Sequence, residues 1–175
     1  DAIASGQKTA LLLGGRALRE PALMAAARIA AHSGVTLFAE TFPTRIERGA
    51  GLPPIERIAY LAELATLQLS EFDHLVLVDA KASVSFFGYP GKPSYLVPDN
   101  CTAHTLSTPE QDAAASLNKL AEALGAAGAE PRLQAEGRPG LPKGKLTAEK
   151  VCRAMGELMP ENSIIVDESI TSGLM

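Results

Sequence analysis

Two short stretches of this 175-residue chain carry residue types able to hold an anion. The first is "LLLGGRALRE", where Gly14 and Gly15 follow an apolar run and precede a helical pattern. Backbone amides in such a turn, with a helix start behind them, suit a phosphate. Asp79, at the end of a later apolar run, is of the type that binds a ribose hydroxyl. The turn lacks the spaced glycines of a G-x-G-x-x-G fingerprint, so a ligand-free strand-to-helix turn is the simpler reading. An acidic residue ending a parallel strand is likewise common without a ligand. The second stretch is "VDESITSG", where Thr171, Ser172 and Gly173 offer two hydroxyls and a run of amides after the β-branched segment Ser163 to Val166. That chemistry suits a phosphate or diphosphate; a hydroxyl-rich helix cap is the plain alternative.

Other chemistries find little support. His32, His74 and His104 share no spacing with carboxylates, and each is expected to be structural or solvated. Cys101 and Cys152 lack metal-ligand spacing and are expected to be buried small hydrophobes in a reduced, cytoplasmic setting. Neither a nucleophile elbow nor a paired-carboxylate site stands out. The loop "SFFGYPGKPS" gathers Phe86, Phe87 and Tyr89 in a chain with only 5% aromatic residues, so their clustering is informative. Such a group stacks on a cofactor ring or a partner surface, or packs the loop down on its own domain.

The elements that must position these residues alternate. Thr9 to Leu13 reads as a strand, with a helix running from Pro21 to the stop at Gly34. Val35 to Ala39 is a second strand. A Gly- and Pro-rich loop then leads to a helix expected to begin at Pro54, with Ile55, Ile58, Ala59, Ala62 and Leu69 on its apolar face. "HLVLVD" is too uniformly apolar for a sheet with one wet face and reads as a strand buried on both sides. Two shorter strand candidates follow, Tyr95 to Val97 and Ala103 to Leu106. Thr108, Pro109 and Gln111 form a capping-box pattern ahead of a helix that stops at Gly125. This order predicts an open, mostly parallel α/β sheet with helices on both faces, Rossmann-like in type, over residues 1–126. Residues 127–146 read as a linker. Residues 147–175 read as the first helix and strand of a second, truncated unit, with Thr147 as cap and Leu146 stapled against Val151.

Hydrophobic residues make up 46% and charged residues 21%, ordinary values for a folded domain. The net charge of -4 is spread without a basic run, which argues against a nucleic-acid partner. The apolar runs are too short to span a bilayer, so no membrane partner is expected.

Taken together, "TALLLGGRALREPALMAAARIAAHSGVTLFAET", "FDHLVLVDAKASVSFFGYPGKPS" and "LTAEKVCRAMGELMPENSIIVDESITSG" resemble the thiamine diphosphate-dependent enzymes of the acetolactate synthase and benzoylformate decarboxylase group. The resemblance covers almost the whole chain and implies the central of three α/β domains plus the opening of the diphosphate-binding domain. It implies a full-length enzyme using thiamine diphosphate and Mg²⁺ to decarboxylate or ligate small-molecule 2-keto acids, as a homodimer or homotetramer. By position in the "DESITSG" turn, Thr171 and Ser172, with Gly173, match residues that hold the cofactor's diphosphate. The family's activating glutamate and its Gly-Asp-Gly metal motif are absent from these residues, so the chain alone is expected to be an inactive scaffold without bound cofactor. Acetolactate synthases proper bind FAD through an arginine- and aspartate-rich stretch after the third strand. That place here is "DAKASVSFFGYPGKPS", with no arginine, and FAD is not expected. The rival reading is a stand-alone module holding FAD, NAD or ADP at Gly14, Gly15 and Asp79.

Overall fold

The computed structural model describes residues 1–168. It divides into two compact units, 1–134 and 135 onward, each taken by itself below.

The first unit is built on five parallel strands: β1 (Thr9–Leu13), β2 (Thr36–Ala39), β3 (Glu56–Arg57), β4 (His74–Val78) and β5 (Thr102–Ser107). Their order across the sheet is β3-β2-β1-β4-β5, with β1 in the centre and every pairing parallel. This is the predicted open α/β sheet. Helix α1 (Glu20–Ser33) follows β1, α2 (Ala62–Leu69) follows β3, and α3 (Ala113–Ala123) follows β5.

Two cores explain why β1 carries no polar alternation. Leu11 and Leu13 point into one, with Ala22, Ala25, Ala26 and Ile29 of α1, Val76, and Leu117 and Ala121 of α3. Ala10 and Leu12 point into the other, with Phe38, Ile58, Ala65 and Leu69 of α2, Phe72, Leu75 and Leu77. Because strand side chains alternate with period two, a strand covered on both faces must be apolar throughout. The ring of Phe38 meets that of Phe72 edge-on, with centroids 5.8 Å apart. Helix α1 ends where Gly34 takes a left-handed φ of +73° and returns its amide to the Ala30 carbonyl.

Four local expectations are corrected. The helix expected from Pro54 starts at Ala62. Ile55 and Ile58 instead flank the two-residue strand β3, where they are buried, so tertiary pairing with β2 overrides the helical spacing. Tyr95 to Val97 makes only an isolated antiparallel bridge, Val84 to Tyr95, while Leu96 and Val97 fill the second core. Helix α3 begins at Ala113 and is capped by Asp112, whose Oδ1 accepts from the Ala115 amide at 2.9 Å. Gln111 does reach back to the Thr108 amide, but around a turn rather than a helix start. Finally, Ser163 to Val166 pairs with no strand among the described residues, and Ile164 and Val166 are exposed.

The first unit also takes in residues 127–134, because Gln134 exchanges backbone hydrogen bonds with the 51–52 loop. In the second unit, helix α4 (Ala148–Leu158) is capped by Thr147, whose hydroxyl accepts from the Lys150 amide at 3.3 Å. Arg138 donates to the carbonyls of Glu157 and Met159, satisfying groups that the helix end leaves open. Its apolar side, with Leu146, Val151, Met155 and Leu158, lines an open hollow of about 490 Å³ together with Ile164 and Ile165. Leu146 and Val151 both line this hollow, and both are exposed.

Candidate functional site

The strand order makes one place special. The chain runs outward from β1 to β2 and β3, then returns to lay β4 on the other side of β1. The loops leaving β1 and β4 therefore part from each other at the carboxyl edge, and such a switch point is where open α/β sheets bind ligands. Gly14, Gly15 and Asp79, singled out from the sequence, meet there.

Their geometry differs from a waiting phosphate cradle. The Gly14 amide donates to the Val78 carbonyl at 3.0 Å. The Gly15 amide donates to Oε1 of Glu40 at 3.1 Å, and the Arg16 amide donates to Oδ2 of Asp79 at 2.7 Å. Asp79 is buried and adopts a φ of +50°, while its own amide donates to the Ser107 carbonyl at 2.9 Å. The Arg16 guanidinium bridges to the far loop, donating to the carbonyls of Pro109 at 2.6 Å and Gln111 at 2.9 Å, with Nε 3.9 Å from Asp79 Oδ2. Burial pushes the Glu40 carboxyl above its ordinary range. The Gly15 amide pulls it back, and the nearby Asp79 charge adds to the rise.

Glu40 and Arg16 were not singled out by sequence reasoning. Glu40 directly follows the second strand, a position equivalent to Asp79 after the fourth, and that equivalence is the signal that would have found it.

Next to this crevice stands an aromatic rim. Phe86, Phe87 and Tyr89 are joined by Phe42 from the loop after β2 and Tyr60 from the loop after β3. Centroid separations are 4.8 Å for Phe42–Phe86, 5.4 Å for Tyr60–Phe86 and 6.3 Å for Phe87–Tyr89. All five rings stay exposed, and Lys92 ties the loop to α2 through an ion pair with Glu63. The cluster therefore packs on itself while presenting faces outward.

The remaining candidates are scattered. His74 and His104, on adjacent strands, do meet: His104 Nε2 lies 3.1 Å from His74 Nδ1, while His74 Nε2 lies 2.8 Å from Gln7 Oε1. His32 is exposed. Cys101 is buried, and that burial, with the Asp73 charge adding to it, pushes its thiol upward. Cys152 is exposed, against expectation, because it lies away from the apolar side of α4. Thr171, Ser172 and Gly173 lie outside the described residues. Among the described residues, no group of three or more His, Cys, Asp or Glu side chains is placed to hold a metal ion. No helix there is long and apolar enough to cross a membrane.

No protein-family profile matches the chain. A protein of Mycobacterium tuberculosis that carries the provisional name acetolactate synthase large subunit IlvX is 47% identical over 171 residues, which is 98% of this chain. The chain is acetolactate synthase-like in sequence. It spans about a third of that relative's length, 33%. A solved structure of a provisionally assigned thiamin diphosphate-dependent enzyme from Mycobacterium smegmatis matches 89% of this chain and 33% of its own, with a TM-score of 0.60 at 18% identity. That likeness shows the fold: the acetolactate synthase-like chain adopts the α/β architecture of one third of such an enzyme. The sequence comparison supports the acetolactate synthase resemblance over the stand-alone nucleotide module.

Proposed function

We propose that this chain is the central scaffold, with the opening of the diphosphate-binding domain, of an enzyme that uses thiamine diphosphate and Mg²⁺ to decarboxylate 2-keto acids or ligate the product to a second carbonyl. The observation that carries the reading is 47% identity maintained over 98% of the chain to one third of an acetolactate synthase-like large subunit. The parallel sheet with a neighbour among thiamin diphosphate-dependent enzymes supports it.

In this reading residues 1–126 form the central domain, 127–146 the linker, which lies against that domain as far as Gln134, and 147–175 the first part of the diphosphate-binding domain. Thr171, Ser172 and Gly173 contribute hydroxyl and amide donors to the diphosphate. The cofactor supplies the carbanion stabilisation that keto-acid decarboxylation needs. The full protein is a cytoplasmic homodimer or homotetramer, and the exposed aromatic rim of Phe42, Tyr60, Phe86, Phe87 and Tyr89 faces a neighbouring domain or subunit near the substrate entrance.

The test uses the full-length protein, assayed for loss of pyruvate, 2-ketobutyrate and benzoylformate. Turnover that requires both thiamine diphosphate and Mg²⁺, with Thr171→Ala/Ser172→Ala raising the cofactor concentration for half-maximal rate about tenfold or more, supports the assignment. Absence of any cofactor-dependent turnover on a panel of 2-keto acids sinks it.

A further inference from the structure

We propose that Glu40 and Asp79 are built-in anions that take the nucleotide-phosphate position of this sheet, closing the switch point to flavin and adenine dinucleotides. A dinucleotide on an open parallel sheet lays its diphosphate on the amides of the glycine turn after the first strand, with an acidic side chain free to meet a ribose. Here the two amides that follow Gly14 are already committed to carboxylates, Gly15 to Glu40 at 3.1 Å and Arg16 to Asp79 at 2.7 Å. An amide bonded to a full negative charge is held more strongly than one bonded to a neutral acceptor. An incoming phosphate would have to displace both acids and then lie beside their like charge.

Space is occupied along with charge. A Cβ on Gly15 would stand 2.6 Å from Oδ2 of Asp79, and one on Gly14 would stand 2.5 Å from the Asp79 carbonyl and 3.0 Å from the Glu40 carboxyl. The glycines thus make room for the chain's own acids. Asp79 is fixed in its role by a left-handed φ of +50°, uncommon outside glycine, which turns its carboxylate onto the turn. The Arg16 guanidinium, a candidate phosphate partner, is engaged by the carbonyls of Pro109 and Gln111. FAD therefore does not fit the residues present, for a reason separate from the missing arginine in the loop after β4.

The inference rests on the fold and deepens the flavin-free form of the proposed enzyme. An enzyme that needs thiamine diphosphate yet also binds FAD would sink this inference and leave that reading intact. Two measurements on the 175-residue chain decide it. Titration with FAD, followed by flavin fluorescence, and with ADP, followed by calorimetry, is expected to show no saturable binding below about 1 mM. The Glu40→Ala/Asp79→Gly variant is expected to bind ADP at least about tenfold more tightly than the wild type. Micromolar binding of either ligand by the wild type overturns the proposal, as does a variant that keeps its circular dichroism and thermal midpoint without gaining affinity. Should the variant not fold, the wild type decides alone by nuclear magnetic resonance. The Gly15 amide proton should lie downfield and move upfield as acid protonates Glu40, and a Gly15 shift indifferent to pH overturns it.

Discussion

Ser107 is fully buried at the carboxyl end of β5, and its Oγ has no hydrogen-bond partner among the described residues. A buried hydroxyl left unpaired costs on the order of 1 kcal/mol or more. Ser107→Ala keeps the backbone carbonyl that receives the Asp79 amide. It should raise stability by about 1 kcal/mol, seen as a thermal midpoint higher by a few degrees; a lower midpoint would mean the hydroxyl has a partner in solution. Glu40, close by, makes stability depend on pH in a defined direction. Burial raises its folded-state proton affinity, so the fold holds a proton that the unfolded chain has already released. Stability contributed this way is present below the ordinary glutamate range, declines as pH rises through the raised value, and is flat above it. Urea melts across that window should show the decline in the wild type and its loss in Glu40→Gln. The residue scale is also where sequence reading reached least far, since Gly15 and Glu40 are 25 residues apart and Arg16 and Asp79 are 63 apart.

Helix starts were legible as regions but not always as residues. Thr147 caps α4 as its type and position suggest. Thr108 fits the same rule, yet α3 is capped four residues later by Asp112. The reason lies in β5, which runs to Ser107 and leaves Thr108 to Gln111 to turn the chain before a helix can begin. Removing an N-cap acceptor costs about 1 kcal/mol. Asp112→Ala should lower the chemical-denaturation stability by about that amount, and Thr108→Ala by clearly less; equal losses would return the cap to Thr108. The start of α1 illustrates a cap that no local pattern reveals. Arg19 offers no side-chain acceptor, and the Glu20 amide is met instead by Oε2 of Glu47, from the loop after β2, at 2.6 Å. Such a carboxylate at a helix N-terminus also gains from the helix dipole.

For the molecule as a whole, the proposal places this chain within an enzyme about three times its length, by the 33% of the relative that it spans. By itself the 175-residue chain should neither hold thiamine diphosphate below millimolar concentration nor consume a 2-keto acid. On the proposed reading Thr171 and Ser172 would meet the diphosphate through neutral hydroxyls alone, with no counter-charge of their own. Calorimetric titration with thiamine diphosphate and Mg²⁺, alongside a pyruvate-consumption assay, checks this, and steady turnover would overturn the scaffold assignment.

The sequence alone determined the class of fold, because the two-residue period of a strand and the near-four-residue period of a helix are local properties. "TALLL" and "HLVLV" had to be covered on both faces, and the alternation of strands with amphipathic helices then implied a parallel sheet. It also exposed the glycine turn and Asp79 as a candidate pair. Only the tertiary structure decided what they do. The order β3-β2-β1-β4-β5 brings the ends of β1, β2 and β4 together at one edge. That convergence, set by crossovers rather than by neighbours in sequence, aims Glu40 and Asp79 at amides that an exogenous phosphate would otherwise have met. The same holds for β3, where pairing with β2 took two residues of a helical pattern into the sheet, and for Phe42 and Tyr60, which join the aromatic rim from separate loops. Local periodicity encodes how each segment is covered, while the direction of each crossover encodes which segments meet.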